Sequence, residues 1–348
     1  MTEMSTLFGL ITFSVADKLV FPVAGVLFAI GLVLLIFGGD WFVDGAVGIA
    51  KKFGVPDLLI GATVVSIGTT LPEVMVSASA AAVGQSQTAY GNAIGSIICN
   101  TALISAITLT FAPGFTDKKS MRIPAIFFFG SAILYSGVAI FTGHFSRTIG
   151  IILLTIFAVY IGLQVKSALT HMKNPSAEAE LIDEPLEEEG EASTGKNVFL
   201  LVIGAIAIAV GANLLVDNCT ILAEKIGVPE SVIALTLVAL GTSLPELVTA
   251  ITSLRKGHGA LSLGNIIGAN MFNLVLVSGL AITINPFDLP AAKLIGGLNA
   301  SVVVDLPVVF LVMLLMTLPG LIKGKLYRWQ GISLLVIYAA YCVFQFVG

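Results

Sequence analysis

Charged residues are scarce in this sequence. Of its 348 residues, 11% are charged and 57% are hydrophobic, whereas about a quarter of a typical soluble domain is charged. A chain with so little charge cannot cover a water-facing surface. Its 17 lysines and arginines are outnumbered by 21 aspartates and glutamates, so there is no basic excess to neutralise phosphates. We therefore predict a membrane protein that does not bind nucleic acid.

Residues typical of disulfides, zinc sites and hydrolase active sites are also few. The three cysteines lie far apart and are odd in number, which argues against a disulfide framework or a zinc cluster. They are Cys99, Cys219 and Cys342. The three histidines fall in predicted connections, where we expect them to be solvated, and neither H-E-x-x-H nor G-x-S-x-G occurs. They are His144, His171 and His258. An enzyme is the weakest interpretation, and no cofactor is expected.

Long apolar runs, in contrast, are abundant. About twenty apolar residues in a helix cross a hydrocarbon core of about 30 Å. Ten segments qualify, near residues 20–48, 57–82, 89–111, 121–142, 148–169, 198–220, 231–254, 261–282, 305–322 and 329–347. Asp305 followed by Pro307 is typical of a helix N-cap, so we predict that the ninth segment begins at Asp305. Residues 1–19 lack the features of a cleavable signal peptide, and a short interfacial helix is one option for them.

One hydrophilic segment divides the chain. Residues 1–170 hold five predicted spans, residues 171–197 form a linker, and residues 198–348 hold five more. The linker carries eight acids between positions 178 and 191, which favours a solvated, disordered connection over a regulatory cation site. Predicted connections on one side of the membrane carry 13 lysines and arginines, and those on the other side carry 4. The positive-inside rule then places the linker in the cytoplasm and both termini outside.

The two halves repeat each other at a constant offset of 173 residues. Gly68-Thr-Thr-Leu-Pro-Glu73 returns as Gly241-Thr-Ser-Leu-Pro-Glu246, and Gly91-Asn92 returns as Gly264-Asn265. Further pairs are Gly54-Val-Pro56 with Gly227-Val-Pro229 and Asn100 with Asn273. Five spans per half is an odd number, so the second copy enters the membrane from the opposite side. Such inverted repeats are typical of secondary transporters, whose binding site lies near the midplane between the repeats.

Glu73 and Glu246 lie at matching positions well inside predicted spans. Almost all other acids fall at span ends, in connections or in the linker. A carboxylate within the bilayer costs several kcal/mol unless it is paired or solvated. A protonated glutamate hydrogen-bonded between helices is the structural alternative, but two of them in the same repeated motif favour a functional site.

Oxygen-bearing groups surround both glutamates. The proline before each one removes a backbone N–H and frees the carbonyl of Gly68 or Gly241, so we predict that the helix loosens there. A threonine, Thr69 or Thr242, precedes each glutamate by one helical turn. An all-oxygen site suits Ca²⁺, Mg²⁺ or Na⁺ better than Zn²⁺ or copper. Two carboxylates together would neutralise one Ca²⁺.

The third and eighth predicted spans contribute further polar groups. Ser96 and Asn100 are one helical turn apart and share a face, and Asn273 repeats Asn100. Hydrogen bonding between helices is the structural alternative for these asparagines. Both spans also carry GxxxG pairs, which we predict to pack closely against the motif helices. The pairs are Gly91 with Gly95 and Gly264 with Gly268.

These features together resemble a known family. The repeated G-T-[ST]-L-P-E, the following G-N-x-I-G-[SA] and the acidic linker are similar to those of sodium/calcium exchangers in the cation/Ca²⁺ exchanger superfamily, in particular its prokaryotic members. The resemblance includes Gly39-Asp-Trp-Phe42 and Arg328-Trp-Gln-Gly331 and covers most of the chain. It implies an antiporter of the plasma membrane that usually exchanges three Na⁺ for one Ca²⁺ by alternating access, with no obligatory protein partner. In this family the first and sixth helices slide across the others.

The resemblance also implies a ligand set. Glu73 and Glu246 would bind Ca²⁺ together with the backbone carbonyls of Thr69 and Thr242. The Na⁺ positions would use the same glutamates and the threonine hydroxyls, with a further set of residues around them. This set comprises the carbonyls of Ser66 and Ala239, the hydroxyl of Ser96, Thr70 and Ser243 at the lining, and Asn100 and Asn273 beside the centre.

Two positions depart from the family pattern. Ala269 stands where relatives often have a serine that helps to bind one Na⁺, whereas its repeat partner Ser96 keeps a hydroxyl. Asn273 stands where some members have aspartate. Because asparagine there resembles the potassium-independent branch, K⁺ co-transport is not expected.

Two other transport functions remain open. Ca²⁺/H⁺ exchange is the nearest alternative, because buried glutamates also carry protons, although Gly95-Ser96 and Asn100 favour Na⁺. A passive cation channel is the other alternative, and the inverted repeat with its paired site argues against it.

Overall fold

Helices make up most of the structure, a computed structural model that describes residues 17–114, 116–173, 193–225, 239–290 and 294–347. The helices are α1 (Asp17–Phe53), α2 (Asp57–Ala82), α3 (Ser86–Phe111), α4 (Lys118–Phe141), α5 (Arg147–Lys173), α6 (Thr194–Lys225), α7 (Ala239–Thr242), α8 (Leu244–Arg255), α9 (Gly259–Ile284), α10 (Ser301–Lys323) and α11 (Arg328–Val347). The strands are β1 (His144–Phe145), β2 (Phe287–Asp288), β3 (Leu294–Ile295) and β4 (Leu298–Asn299). β1 pairs antiparallel with β2, and β3 with β4.

Eight helices within the described residues are long and apolar enough to cross a membrane: α1 to α6, α9 and α10. Helix α11 coincides with the tenth predicted span. The seventh predicted span, 231–254, is described only from Ala239 onward, as α7 and α8. The prediction of a multi-span helical membrane protein is therefore confirmed, while the number of ten spans stays a prediction.

The start of the ninth predicted span was placed wrongly. Helix α10 begins at Ser301, whose backbone N–H donates to the Asn299 side chain at 2.9 Å. Asp305 has helical backbone angles and makes no capping hydrogen bond. Its carboxylate instead accepts hydrogen bonds from Tyr341 at 3.0 Å and Gln345 at 3.1 Å. Asp305 therefore joins α10 to α11, because the partners on α11 satisfy the carboxylate better than the turn it was predicted to cap.

Helices α1 and α6 pack backbone to backbone through glycines. A methyl group added to Gly31 would lie 2.9 Å from the Gly211 carbonyl oxygen, and one added to Gly38 would lie 3.1 Å from that of Gly204. Contacts run forward along α1 and backward along α6, so the two helices are antiparallel. Small residues permit such close helix approach in membranes, where the gain comes from van der Waals contact. Residues of both helices, together with residues of α2 and α9, form a hydrophobic cluster distinct from a larger cluster in the rest of the molecule.

The two halves have matching turns and helix ends. Gly84 and Gly257, 173 residues apart, follow the motif helices with φ of 78° and 80°, a conformation that glycine adopts without strain. The Arg328 guanidinium donates to the carbonyl of Thr110 at the end of α3, and that of Arg147 donates to Thr283 at the end of α9. Positions 110 and 283 are also related by the offset of 173. Each arginine satisfies a carbonyl in the last turn of a helix.

The predicted close packing of the GxxxG pairs is found in the second half. A methyl group on Gly264 would lie 2.1 Å from the Leu58 carbonyl oxygen, and one on Gly268 would lie 2.7 Å from Ala62. Helix α9 therefore lies directly against α2. The residues that the offset relates to those partners are 231 and 235, outside the described part of the chain, so the packing of Gly91 and Gly95 stays a prediction.

Candidate cation site

The two motif helices differ in how they accommodate their proline. Helix α2 remains helical through Pro72, and its turn widens earlier, in a π-helical segment at Gly61–Val65. The predicted loosening at Gly68 is therefore wrong, because neighbouring helices hold the turn in place despite the missing N–H. In the second half the helix is interrupted at Ser243, which separates α7 from α8. There the prediction is confirmed to within two residues of Gly241.

Two asparagines mark widened turns at equivalent places in α3 and α9. π-helical segments run over Asn100–Ser105 and Asn273–Val277, and both begin at the repeated asparagine. A π turn holds one residue more than an α turn and is frequent at functional sites. Asn100 and Asn273 are fully buried, and neither amide group has a hydrogen-bond partner among the described residues. Both side chains are thus available to another group in the centre of the molecule.

Glu73 and Glu246 are both completely buried. One oxygen of Glu246 accepts a hydrogen bond from the Thr70 hydroxyl at 3.4 Å. The other oxygen of Glu246 and both oxygens of Glu73 lack a hydrogen-bond partner among the described residues. Buried charge without a partner is costly, so this arrangement favours a bound cation as the missing partner.

The motif threonines face the opposite half of the molecule. The Thr69 hydroxyl donates to the Asn265 side-chain oxygen at 3.1 Å, and the Thr242 hydroxyl donates to that of Asn92 at 3.3 Å. The Ser66 hydroxyl lies 2.9 Å from the backbone carbonyl of Asn265. The structure thus brings predicted residues of the two motifs together in one region between the halves, which we call the crossing.

Four further predicted residues are described by their burial or by their place in a helix. Ser96 and Ser243 are nearly fully buried, and Ala269 is fully buried. Ala239 begins α7, and its side chain lies outside what the structure describes. The described residues contain no group of three histidine, cysteine or acidic side chains that could hold a metal ion. The groups near the two glutamates are hydroxyl, amide and carbonyl oxygens.

Asn92 and Asn265 were not predicted as site residues. The only sequence signal was their presence in the repeated Gly91-Asn92 and Gly264-Asn265 pairs. Those pairs were interpreted for their glycines, and the asparagines emerge only from the contacts between halves.

Helices α1 and α6 cover the crossing. A cavity of about 10 Å³ lies between Phe42 of α1, Gly68 and Pro72 of α2, Ala205 of α6 and Pro245 of α8. That volume is about the minimum for one water molecule. Little free volume therefore separates α1 and α6 from the motif helices at this point.

Charged groups outside the cluster link α1 and α2 to the turn between α8 and α9. The Lys256 ammonium lies 2.7 Å from the Asp44 carboxylate and 3.5 Å from that of Asp40. His258 lies 2.7 Å from Asp57 and is three-quarters buried, so the prediction of a solvated histidine is wrong there. His144 is half exposed and pairs with Asp288, and the His171 side chain lies outside the described residues.

Comparison with known proteins identifies the family. The sodium/calcium exchanger protein family model matches residues 23–166 and 196–347. The chain belongs to the sodium/calcium exchanger family. Family membership was predicted from the repeated motifs and is confirmed.

Individual relatives match over nearly the whole chain. The sodium/calcium exchanger MaX1 of Methanosarcina acetivorans is 30% identical, and the match covers 91% of this chain and 97% of that protein. An uncharacterized membrane protein of Methanocaldococcus jannaschii is 36% identical over 89% of this chain and 94% of its own length. A solved structure of the sodium-calcium exchanger NCX_Mj superposes with a TM-score of 0.76 at 32% identity, covering 94% of this chain and 99% of that one. The fold is thus that of an exchanger.

Proposed function

We propose that this protein is an antiporter that exports Ca²⁺ in exchange for Na⁺, three Na⁺ entering for each Ca²⁺. Membership of the exchanger family supports exchange of a cation for Ca²⁺. The observation that carries the proposal is the pair Glu73 and Glu246, of which three of four carboxylate oxygens lack a hydrogen-bond partner among the described residues. Two such carboxylates would balance the charge of one Ca²⁺, or of two of the three Na⁺.

The remaining ligands are neutral oxygens, which hard cations prefer. Ca²⁺ would bind the two glutamates and the backbone carbonyls of Thr69 and Thr242. Na⁺ would use the glutamates and the threonine hydroxyls with the other predicted residues. These are the carbonyls of Ser66 and Ala239, the hydroxyl of Ser96, and Thr70 and Ser243 at the lining. Asn100 and Asn273 would flank the centre, and Ala269 is the position at which this site lacks a hydroxyl. The two cations compete for the same carboxylates, so they occupy the site in turn.

The two halves form an inverted repeat in this proposal. Gly31 and Gly38 of α1 are related by the offset of 173 to Gly204 and Gly211 of α6. Because the two helices run antiparallel with these glycines facing each other, the same sequence segment crosses in opposite directions. The hydrogen bonds Thr69–Asn265 and Thr242–Asn92 are likewise the same contact with the two halves interchanged. Both observations support alternating access around one central site.

The protein is placed in the plasma membrane with the acidic linker in the cytoplasm and both termini outside. The excess of lysine and arginine in alternate connections supports this orientation. The division into residues 1–170, 171–197 and 198–348 follows from the same assignment. Helices α1 and α6 would move as one unit against the others.

Uptake of ⁴⁵Ca²⁺ into proteoliposomes tests the function directly. In one condition, vesicles are loaded with Na⁺ and diluted into Na⁺-free buffer of the same pH. In the other, vesicles are loaded at low pH without Na⁺ and diluted into Na⁺-free buffer of higher pH. We expect uptake with the outward Na⁺ gradient and none with the H⁺ gradient. Uptake driven only by H⁺ would replace the proposal with Ca²⁺/H⁺ exchange. Uptake of Ca²⁺ down its own concentration gradient, with neither a Na⁺ nor an H⁺ gradient and without counterflow, would indicate a channel.

A further inference from the structure

Asn92 and Asn265 connect the two halves of the molecule at equivalent points. Each side-chain oxygen accepts the hydrogen of a threonine hydroxyl from the other half, Asn265 from Thr69 at 3.1 Å and Asn92 from Thr242 at 3.3 Å. The two asparagines and the two threonines are each separated by 173 residues. The same hydrogen bond is therefore made twice, once in each direction across the crossing.

The hydrogen bonds of Asn92 fix the orientation of its amide. Its nitrogen donates to the Ser77 hydroxyl at 2.9 Å and to the backbone carbonyl of Glu73 at 3.2 Å. With both acceptors on the nitrogen side, the oxygen is left to face Thr242 and can only accept. Asn265 also presents its oxygen to Thr69, and its backbone carbonyl accepts a hydrogen bond from Ser66, but its amide nitrogen has no hydrogen-bond partner among the described residues.

A hydroxyl has one hydrogen and two lone pairs, and only a lone pair binds a cation. The hydrogen must therefore be directed away from the cation and be accepted elsewhere. We propose that Asn92 and Asn265 are positioning residues that take the hydrogens of Thr242 and Thr69 and so aim the hydroxyl lone pairs at Na⁺. An amide does this without adding charge, whereas a carboxylate would disturb the balance set by the two glutamates.

The inference rests on the proposed function and makes it more specific. Ca²⁺ is proposed to bind the threonines through their backbone carbonyls, which need no help from the asparagines. Na⁺ is proposed to use the hydroxyls. Loss of the amide acceptor should therefore weaken Na⁺ binding more than Ca²⁺ binding.

The test compares Asn265→Leu, Thr69→Val and the double variant in proteoliposomes. Two rates are measured, Na⁺-driven ⁴⁵Ca²⁺ transport as a function of Na⁺ concentration and Ca²⁺/Ca²⁺ exchange without Na⁺. In Asn265→Leu we expect the half-saturating Na⁺ concentration to rise about five- to tenfold, the effect of one lost hydrogen bond. Ca²⁺/Ca²⁺ exchange should stay within about twofold. In the double variant, the leucine should add nothing to the effect of Thr69→Val.

Asn270→Leu is the matched control. Asn270 lies on the same helix and is equally buried, but its amide donates to Thr101 at 2.7 Å, away from the motif threonines. It should reduce thermal stability without changing the ratio of Na⁺ to Ca²⁺ affinity. If a variant is purified but transports nothing, the rise in melting temperature on adding Na⁺ or Ca²⁺ provides the same comparison. Asn92→Leu with Thr242→Val repeats the test in the other half.

Four outcomes overturn the inference. Equal weakening of Na⁺-driven and Ca²⁺/Ca²⁺ exchange would give Asn265 a general structural role. Additive effects in the double variant would separate Asn265 from Thr69. If Ca²⁺ transport by the wild-type protein is driven by H⁺ and not by Na⁺, the proposed function and this inference both fail. If it is driven by Na⁺ but the Na⁺ dependence is unchanged in Asn265→Leu, only the inference fails.

Discussion

At the scale of single residues, the two glutamates occupy different environments despite their equivalent positions. Glu246 receives a hydrogen bond from Thr70, whereas neither carboxylate oxygen of Glu73 has a partner among the described residues. The backbone carbonyl of Glu73 is in turn held by Asn92. The protein thus fixes the main chain of Glu73, and in the proposed site its carboxylate is the part that binds the transported ion.

Replacing either glutamate by glutamine should abolish Ca²⁺ transport. Glu73→Gln and Glu246→Gln each remove half of the compensating charge while keeping size and hydrogen-bonding capacity. The measurement is ⁴⁵Ca²⁺ uptake together with the rise in melting temperature on adding Ca²⁺. Asp288→Asn, on an 85% exposed side chain, serves as the control that should leave both unchanged. Near-wild-type exchange by either glutamine variant would contradict the assignment of the two glutamates to the cation site.

Adding a hydroxyl at Ala269 should strengthen Na⁺ competition. Ala269 is fully buried beside the asparagine-marked turn of α9, and its repeat partner is Ser96. For Ala269→Ser we expect a lower Na⁺ concentration for half-inhibition of Ca²⁺/Ca²⁺ exchange, by about two- to fivefold for one hydrogen-bond-strength contact. Ser96→Ala should shift the same quantity upward. No change in either variant would show that these positions do not contact Na⁺.

At the scale of helices and turns, hydropathy located the membrane-capable segments because a span needs a long apolar run. The repeated motif likewise located Glu73 and Glu246. The sequence could not show that a threonine of one half bonds to an asparagine of the other half, because Thr69 and Asn265 are 196 positions apart. It also misplaced the start of α10, since the partners of Asp305 lie on another helix. Contacts between distant elements, unlike apolar runs, leave no local pattern.

Helix α4 offers a stability prediction outside the bilayer. Asp117 caps α4 and accepts hydrogen bonds from the backbone N–H groups of Lys119 at 3.0 Å and Ser120 at 2.8 Å. Partial burial opposes ionisation, but the hydrogen bonds from Ser120 and Lys119 outweigh it and lower the pKa of Asp117. Asp117→Ala should cost about 1 kcal/mol, or about 2 °C in melting temperature.

The pH dependence of this cap has a definite sign. A lowered pKa in the folded protein means that ionised Asp117 stabilises the fold above the pKa of the unfolded chain, and that this stabilisation is lost as the pH falls through the folded value. Asp117→Asn keeps a capping side chain but cannot titrate, so its melting temperature should fall less on acidification than that of the wild type. Parallel acid profiles for the two proteins would contradict the assignment.

At the scale of the whole molecule, α1 and α6 form one body through their glycine contacts. Gly38 faces the backbone of Ile208 at a distance that leaves no space for a side chain. Backbone cannot repack as a side chain does, so the two helices are expected to shift together. Lys256, in the turn between α8 and α9, forms an ion pair with Asp44 of α1 and so connects this body to the second half. The residue at the equivalent position of the first half is Val83, which cannot form such an ion pair.

Separating α1 from α6 should impair the protein as a whole. Gly38→Leu forces the helices apart, and overpacking of this kind costs about 1–3 kcal/mol or more. We expect a melting temperature lower by several degrees and slower Ca²⁺ transport. Ala29→Leu adds a similar side chain to an exposed position of the same helix and should have little effect. Equal behaviour of the two variants would mean that the glycine contact does not hold the pair together.

The exchanged threonine–asparagine bonds have a consequence for the origin of the fold. Thr69 relies on an asparagine encoded in the second half, and Thr242 on one encoded in the first, so neither half alone could orient its own hydroxyl. A single copy would meet the same need by pairing with a second copy of itself, which points to a homodimeric ancestor before gene duplication and fusion. The two copies are no longer identical, since Ala269 stands where the first copy has Ser96.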